Sequence, residues 1–199
     1  MIDLSAFPKT RKLKDGKEII IRSLEKTDED KLLRFMKALP TDERMYFRDD
    51  VTDPAVIHKW VYETDTSQVI PLVATYNGEL ISSWSLHLTD LFWTRHLAHI
   101  RGIVAPEYRG YRISSKMVYE LLTIAGDLNI ERVVIELAAQ QKRLLARFTN
   151  IGFQLEAVLK DWAKDHSGQY NDLLILTMKL EPAWKKLEEL ILDYETHGG

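Results

Sequence analysis

With 199 residues, 45% of them apolar and 29% charged, the chain fits a single soluble globular domain with one large core. A formal net charge of −3 supplies no global basic field, so no nucleic-acid partner is expected. Cysteine is absent, which removes disulfides, thiolate metal sites and a cysteine nucleophile together.

Residues 1–15 are polar and basic and lack the apolar run of a secretory signal. No stretch approaches the roughly 18 apolar residues that span a bilayer, so a cytoplasmic protein without a membrane partner is expected. The turn pair Asp15-Gly16 leads into the β-branched run Ile19-Ile20-Ile21 and predicts a strand over 17–24. Thr27 then reads as the N-cap of a helix carrying Leu32, Leu33, Phe35, Met36 and Leu39, ended by Pro40. A short helix is predicted over 42–47 and a third over 54–63. In the third, Asp53 caps, Pro54 takes the first position, and Val56, Ile57, Trp60 and Val61 form the buried stripe.

The period then changes to two. Residues 69–76 and 79–88 around Asn77-Gly78 predict a hairpin, because that pair supplies the positive φ angles of a two-residue turn. A strand over 97–104 and a loop over 108–114 precede a helix with Ile113, Met117, Leu121, Ile124, Ala125 and Leu128 on one face. A buried strand over 132–138, a helix over 140–150 stopped by Gly152, and strands over 154–162 and 172–180 follow. Residues 182–194 read as an amphipathic terminal helix. This order predicts an α/β (α+β) domain, with a mixed, partly parallel twisted sheet of about seven strands flanked by helices. No repeat or linker interrupts it, so 1–199 reads as one domain, with 17–180 as its core.

Three strings sit in a telling order: Ile103-Val104-Ala105-Pro106-Glu107-Tyr108-Arg109-Gly110 before a helix, Asn150-Ile151-Gly152-Phe153 after one, and Gly168-Gln169-Tyr170-Asn171-Asp172-Leu173-Leu174 near the end. With the element order, they resemble the GNAT superfamily of N-acetyltransferases over residues 17–180. The opening Lys14-Asp15-Gly16-Lys17-Glu18-Ile19-Ile20-Ile21-Arg22, with Tyr46-Phe47-Arg48, resembles the catalytic domain of bacterial protein lysine acetyltransferases. The resemblance implies acetyl-CoA as acyl donor, direct transfer to an amine, and a small-molecule or protein acceptor, a protein lysine among them.

In that family the cofactor loop reads Gln/Arg-x-x-Gly-x-Gly/Ala. A diphosphate needs converging backbone N–H donors and a favourable dipole, and a helix N-terminus supplies both. The corresponding segment is Arg109-Gly110-Tyr111-Arg112-Ile113-Ser114. Its leading residue matches, whereas Arg112 and Ser114 stand at the two later small positions. Arg112 either adds phosphate affinity through its guanidinium or blocks the cofactor by its bulk. The resemblance also implies that backbone groups of Gly102, Ile103 and Val104 pair with the pantetheine arm.

A lysine amine titrates near 10.4, so transfer at neutral pH needs a base or a water chain. The family's glutamate position on the strand before the loop is held by His99, and imidazole is a competent base. Arg101, on the same strand face, would disfavour the imidazolium. A satisfied sheet histidine is the competing reading. The family's thiolate-protonating tyrosine corresponds to Phe148, which has no proton to give, and its asparagine corresponds to Gln141; Tyr111 and Tyr170 are the remaining acid candidates. Both Gln141 and Phe148 are carried over as cofactor contacts. Asp49, Asp50 and Asp53 could attract a cationic acceptor or form a solvated acidic face.

The spacing of His87, Asp90, His96 and His99 matches no ligand pattern, so no metal is expected. Dinucleotide, nucleotide-phosphate and serine-elbow motifs are absent. Two further readings stay open. Arg112, Phe148 and the missing glutamate also fit a non-catalytic module that binds acyl-CoA or a partner protein. Trp184, Leu187, Leu190 and Ile191 form one stripe, suited either to a homodimer contact or to packing on the chain's own sheet.

Overall fold

A computed structural model describes residues 4–165 and 167–180, so the stripe on 182–194 lies outside the described residues. The strands are β1 (Lys9–Lys12), β2 (Glu18–Ser23), β3 (Val69–Tyr76), β4 (Glu79–Leu88), β5 (Leu97–Val104), β6 (Arg132–Ala138), β7 (Gln154–Lys164) and β8 (Tyr170–Lys179). The helices are α1 (Glu29–Ala38), α2 (Thr41–Arg44), α3 (Pro54–Tyr62), α4 (Ile113–Asp127) and α5 (Lys142–Ile151). The eighth strand, β1, falls in the polar opening that the sequence reading left without structure. Its four residues alternate in burial and pair antiparallel with β2, Lys9 opposite Ile21 through Lys12 opposite Glu18. An edge strand this short and basic carries no hydrophobic signal.

The chain forms two compact units. Among the described residues the first comprises 4–87 and 101–118, and the second 88–100 and those from 119 on, so β5 and α4 each contribute to both. In the first unit the hydrogen-bonded strand order is β1-β2-β3-β4-β5. Asn77 and Gly78 take φ of 50° and 81° in the turn joining β3 to β4, as the Asn-Gly pair predicts. Leu32, Phe35, Met36 and Leu39 bury the apolar stripe of α1 with Val51, Ile57, Val73, Leu80 and Ala105. Asp53 caps α3 by accepting from the Ala55 N–H at 2.8 Å.

Thr27 is not the cap it was expected to be. Residues Lys26–Asp28 form a 3-10 turn that leads into α1. The cause is Asp28: its carboxylate is buried, takes both ends of the Arg22 guanidinium at 2.6 and 2.8 Å, and accepts the Glu25 N–H at 3.0 Å. Burial alone would raise its pKa; the paired guanidinium and the N–H outweigh that and hold it below the ordinary carboxylate value.

In the second unit the order is β5-β6-β8-β7. Leu97–His99 of β5 pair parallel with residues 132–134 of β6, and β8 is antiparallel to both β6 and β7. Val133, Ile135, Leu137, Leu174, Leu176 and Met178 are buried on these strands. The helix expected over 140–150 begins two residues later, because Gln141 adopts a non-helical ψ of 47°. At its other end Gly152 takes φ of 118°, the left-handed cap that glycine accommodates.

Candidate functional site

Gly102 interrupts the burial of β5: Ile100 and Val104 are buried, while Gly102 between them is exposed. One side of it is closed, since a Cβ there would lie 2.0 Å from Cδ2 of Trp84. Trp84 Nε1 donates to Ser82 Oγ at 2.8 Å, and Ser82 Oγ donates to the Ile103 carbonyl at 2.9 Å. A tryptophan and a serine on β4 thus hold this part of β5 and leave bare backbone at Gly102. Nothing local in the sequence ties residues 82 and 84 to a glycine some 20 positions on.

After β5 the chain makes a 3-10 turn, Pro106–Tyr108, and enters the loop. Gly110 has φ of 92° with open space where a Cβ would stand. Arg112 has φ of 62°, a left-handed conformation costing a non-glycine residue roughly 1–2 kcal/mol. Its carbonyl accepts the Lys116 N–H at 3.2 Å, the start of the α4 ladder. Ile113 and Ser114 are buried and fix that turn in place. Tyr111 lies with its ring 5.3 Å from the Lys17 ammonium, which also pairs with Asp15 at 2.7 Å.

Arg109 reaches in two directions. Its Nε donates to the Val104 carbonyl at 3.2 Å, and its two terminal nitrogens donate to the two carboxylate oxygens of Glu43, the Nη1 bond being 2.7 Å. Glu43 sits on α2, 66 residues earlier, and no sequence signal marked it. Two acidic residues further along the chain have local tasks. Asp50 accepts the Thr52 hydroxyl and N–H, which lower its pKa, and Asp53 caps α3.

In the second unit, His99 is half-buried on β5, opposite Val134 of β6. Arg101 follows two residues on, which by strand alternation puts it on the same face. The Gln141 side chain turns back to accept the Ala138 N–H at 2.9 Å. Phe148 is 3% exposed and meets Phe153 edge-on at 5.7 Å. Tyr170 is exposed, with the Lys164 ammonium 4.5 Å from its ring. Among the described residues no group of three or more His, Asp or Glu is placed to hold a metal ion, and no helix is long and apolar enough to cross a membrane.

The sequence profile of the Acetyltransferase (GNAT) family matches residues 33–153. The chain belongs to this acetyltransferase family. Solved structures share its fold. The GNAT domain of PAT from S. lividans is 18% identical with a TM-score of 0.72, over 89% of this chain and 99% of that one. YncA from Salmonella typhimurium, solved with its cofactor acetyl-CoA, is 18% identical with a TM-score of 0.69, over 82% and 94%. A ribosomal-protein-alanine N-acetyltransferase from Brucella melitensis is 20% identical with a TM-score of 0.70, over 80% and 99%. No curated protein matches the chain by sequence. The GNAT fold binds acyl-CoA, and two features here fit such a ligand: accessible backbone at Gly102 and the cleared approach to α4 at Gly110.

Proposed function

We propose that this GNAT protein is an N-acetyltransferase that moves an acetyl group from acetyl-CoA directly to an amine, with protein lysine as one acceptor class. The observation that carries the reading is the backbone of the loop. Left-handed Gly110 and Arg112 deliver the chain to the start of the fifteen-residue helix α4, where first-turn N–H groups and the helix dipole favour a diphosphate. Gly110, Tyr111, Arg112, Ile113 and Ser114 would hold that group, and Gly102, Ile103 and Val104 would line the pantetheine arm. Bound there, acetyl-CoA supplies an activated acyl group and a thiolate that leaves readily. The protein's own chemical task is then to remove a proton from the amine, and His99 is the group proposed for it.

Calorimetric titration with acetyl-CoA, followed by turnover on lysine peptides, N-terminal peptides and small polyamines, tests the reading. Micromolar binding with turnover supports it; failure of the native protein to bind acetyl-CoA would sink it. His99→Ala is expected to lower kcat by roughly 10²–10⁴ with acetyl-CoA affinity retained. An unchanged kcat removes His99 from the mechanism.

The second reading, a module that binds acyl-CoA without turnover, draws on Phe148. The position where the family places a proton donor is a core phenylalanine. Tight binding with no turnover on the whole amine panel would favour this reading.

A further inference from the structure

We infer that Glu43 and Arg109 form a positioning pair for the loop, in which Arg109 acts by pinning the end of β5 rather than as a ligand of the diphosphate. The inference rests on the reading that this loop binds acetyl-CoA.

The guanidinium offers five N–H groups in a rigid fork. The Nε–H is spent on the Val104 carbonyl, and both arms of the fork lie on the Glu43 carboxylate. The face that would grip a phosphate bidentately is already filled by an anion of the same geometry. The contact to Val104 closes a ring from the last residue of β5 to the first residue of the loop, bridging the 3-10 turn Pro106–Tyr108. That ring sets the direction in which the chain leaves the strand immediately before Gly110. Glu43 holds the guanidinium from the opposite side, with its side chain 25% exposed against 38% for Arg109. A pair so placed adds little to global stability. It does fix where the first-turn N–H groups of α4 sit, and small displacements of binding groups are costly.

The test is a double-mutant cycle on the full chain, read as acetyl-CoA affinity by calorimetry, with melting temperature and steady-state kinetics alongside. Glu43→Gln weakens acetyl-CoA binding roughly three- to tenfold, in the lower part of the range of coupling between contacting residues, with kcat at saturating acetyl-CoA within about twofold. Arg109→Lys retains the charge but loses both the fork and the Nε contact, and weakens binding to the same extent. The double variant is no worse than the weaker single one, and Glu43→Asp recovers most of the loss. Glu43→Gln binding as tightly as the native chain, or more tightly, overturns the inference, because it makes Arg109 a phosphate ligand that Glu43 competes for or leaves idle. Additive losses in the double variant overturn it as well. A native chain that does not bind acetyl-CoA overturns the underlying reading, and this one with it.

Discussion

The loop 109–114 in the first unit and helix α5 in the second both depart from the GNAT sequence pattern, but in different ways. In the loop the departure is in side chains: Arg112, with φ of 62°, stands where the family pattern has a small residue. At α5 and its N-cap the departure is in the residues that the resemblance matches to a tyrosine and an asparagine. Phe148 is buried against Phe153, and Gln141 spends its carbonyl on Ala138. The loop region is held by polar ties and special backbone angles, α5 by apolar packing. On the proposed function, the loop tolerates substitution because its working parts are backbone groups, whereas Phe148 brings no hydroxyl to the reaction.

The largest effect expected is on α5. Phe148→Ala should cost about 3–5 kcal/mol of stability, as for other buried aromatic truncations, read by denaturant unfolding. Phe148→Tyr should cost about 1–3 kcal/mol for an unpaired buried hydroxyl and give no gain in kcat. A Phe148→Tyr protein that is fully stable and faster would break the comparison, since the position would then be open to the reacting groups.

Polar ties in the first unit make the next prediction. Asp28→Asn removes the buried, bidentate partner of Arg22 and leaves it only the Glu25 carboxylate at 3.9 Å, and should cost about 3 kcal/mol. The same pair makes stability depend on acid. Because the folded pKa of Asp28 lies below its ordinary value, its contribution is fully present above the unfolded carboxylate pKa of about 3.9 and is lost as pH falls through the folded pKa. Melting followed from pH 6 down to 2.5 should show a steeper loss for the native chain than for Asp28→Asn, and parallel curves would remove the pair as the source.

Trp84 supplies a smaller effect. Gly102→Ala places a methyl against the indole ring, so Trp84 or β5 must move, at about 1–3 kcal/mol. A matching loss of acetyl-CoA affinity would tie that backbone to the ligand, and unchanged affinity would confine Gly102 to packing.

Much of the fold was legible because it is written in local patterns. Asn77-Gly78, the Asp53-Pro54 start of α3, the apolar stripe of α1 and the Gly152 stop each act within a few residues, and each appears where expected. The elements that escaped depend on pairings between polar residues that hydrophobic periodicity does not mark. β1 is an edge strand of polar residues paired with β2, and the entry to α1 is reset by Arg22. The site divides in the same way. The loop could be placed from its glycine and its position before a helix, while Glu43, Ser82 and Trp84 hold their places only through the folded chain.

Arg112 gives the smallest effect and separates backbone from charge. Arg112→Gly relieves a left-handed φ worth roughly 1–2 kcal/mol but adds backbone freedom to the unfolded chain worth about 0.5–1 kcal/mol. A net gain of about 0.5 kcal/mol should raise Tm by about 1–2 °C. Arg112→Ala keeps the strain and removes the guanidinium, so it should show no such rise. If the loop works through its N–H groups, Arg112→Gly binds acetyl-CoA at least as tightly as the native chain and Arg112→Ala gains nothing. Equal losses in both variants would mean that the guanidinium itself carries the phosphate, and the contrast between a backbone site and a side-chain site would fail at the loop.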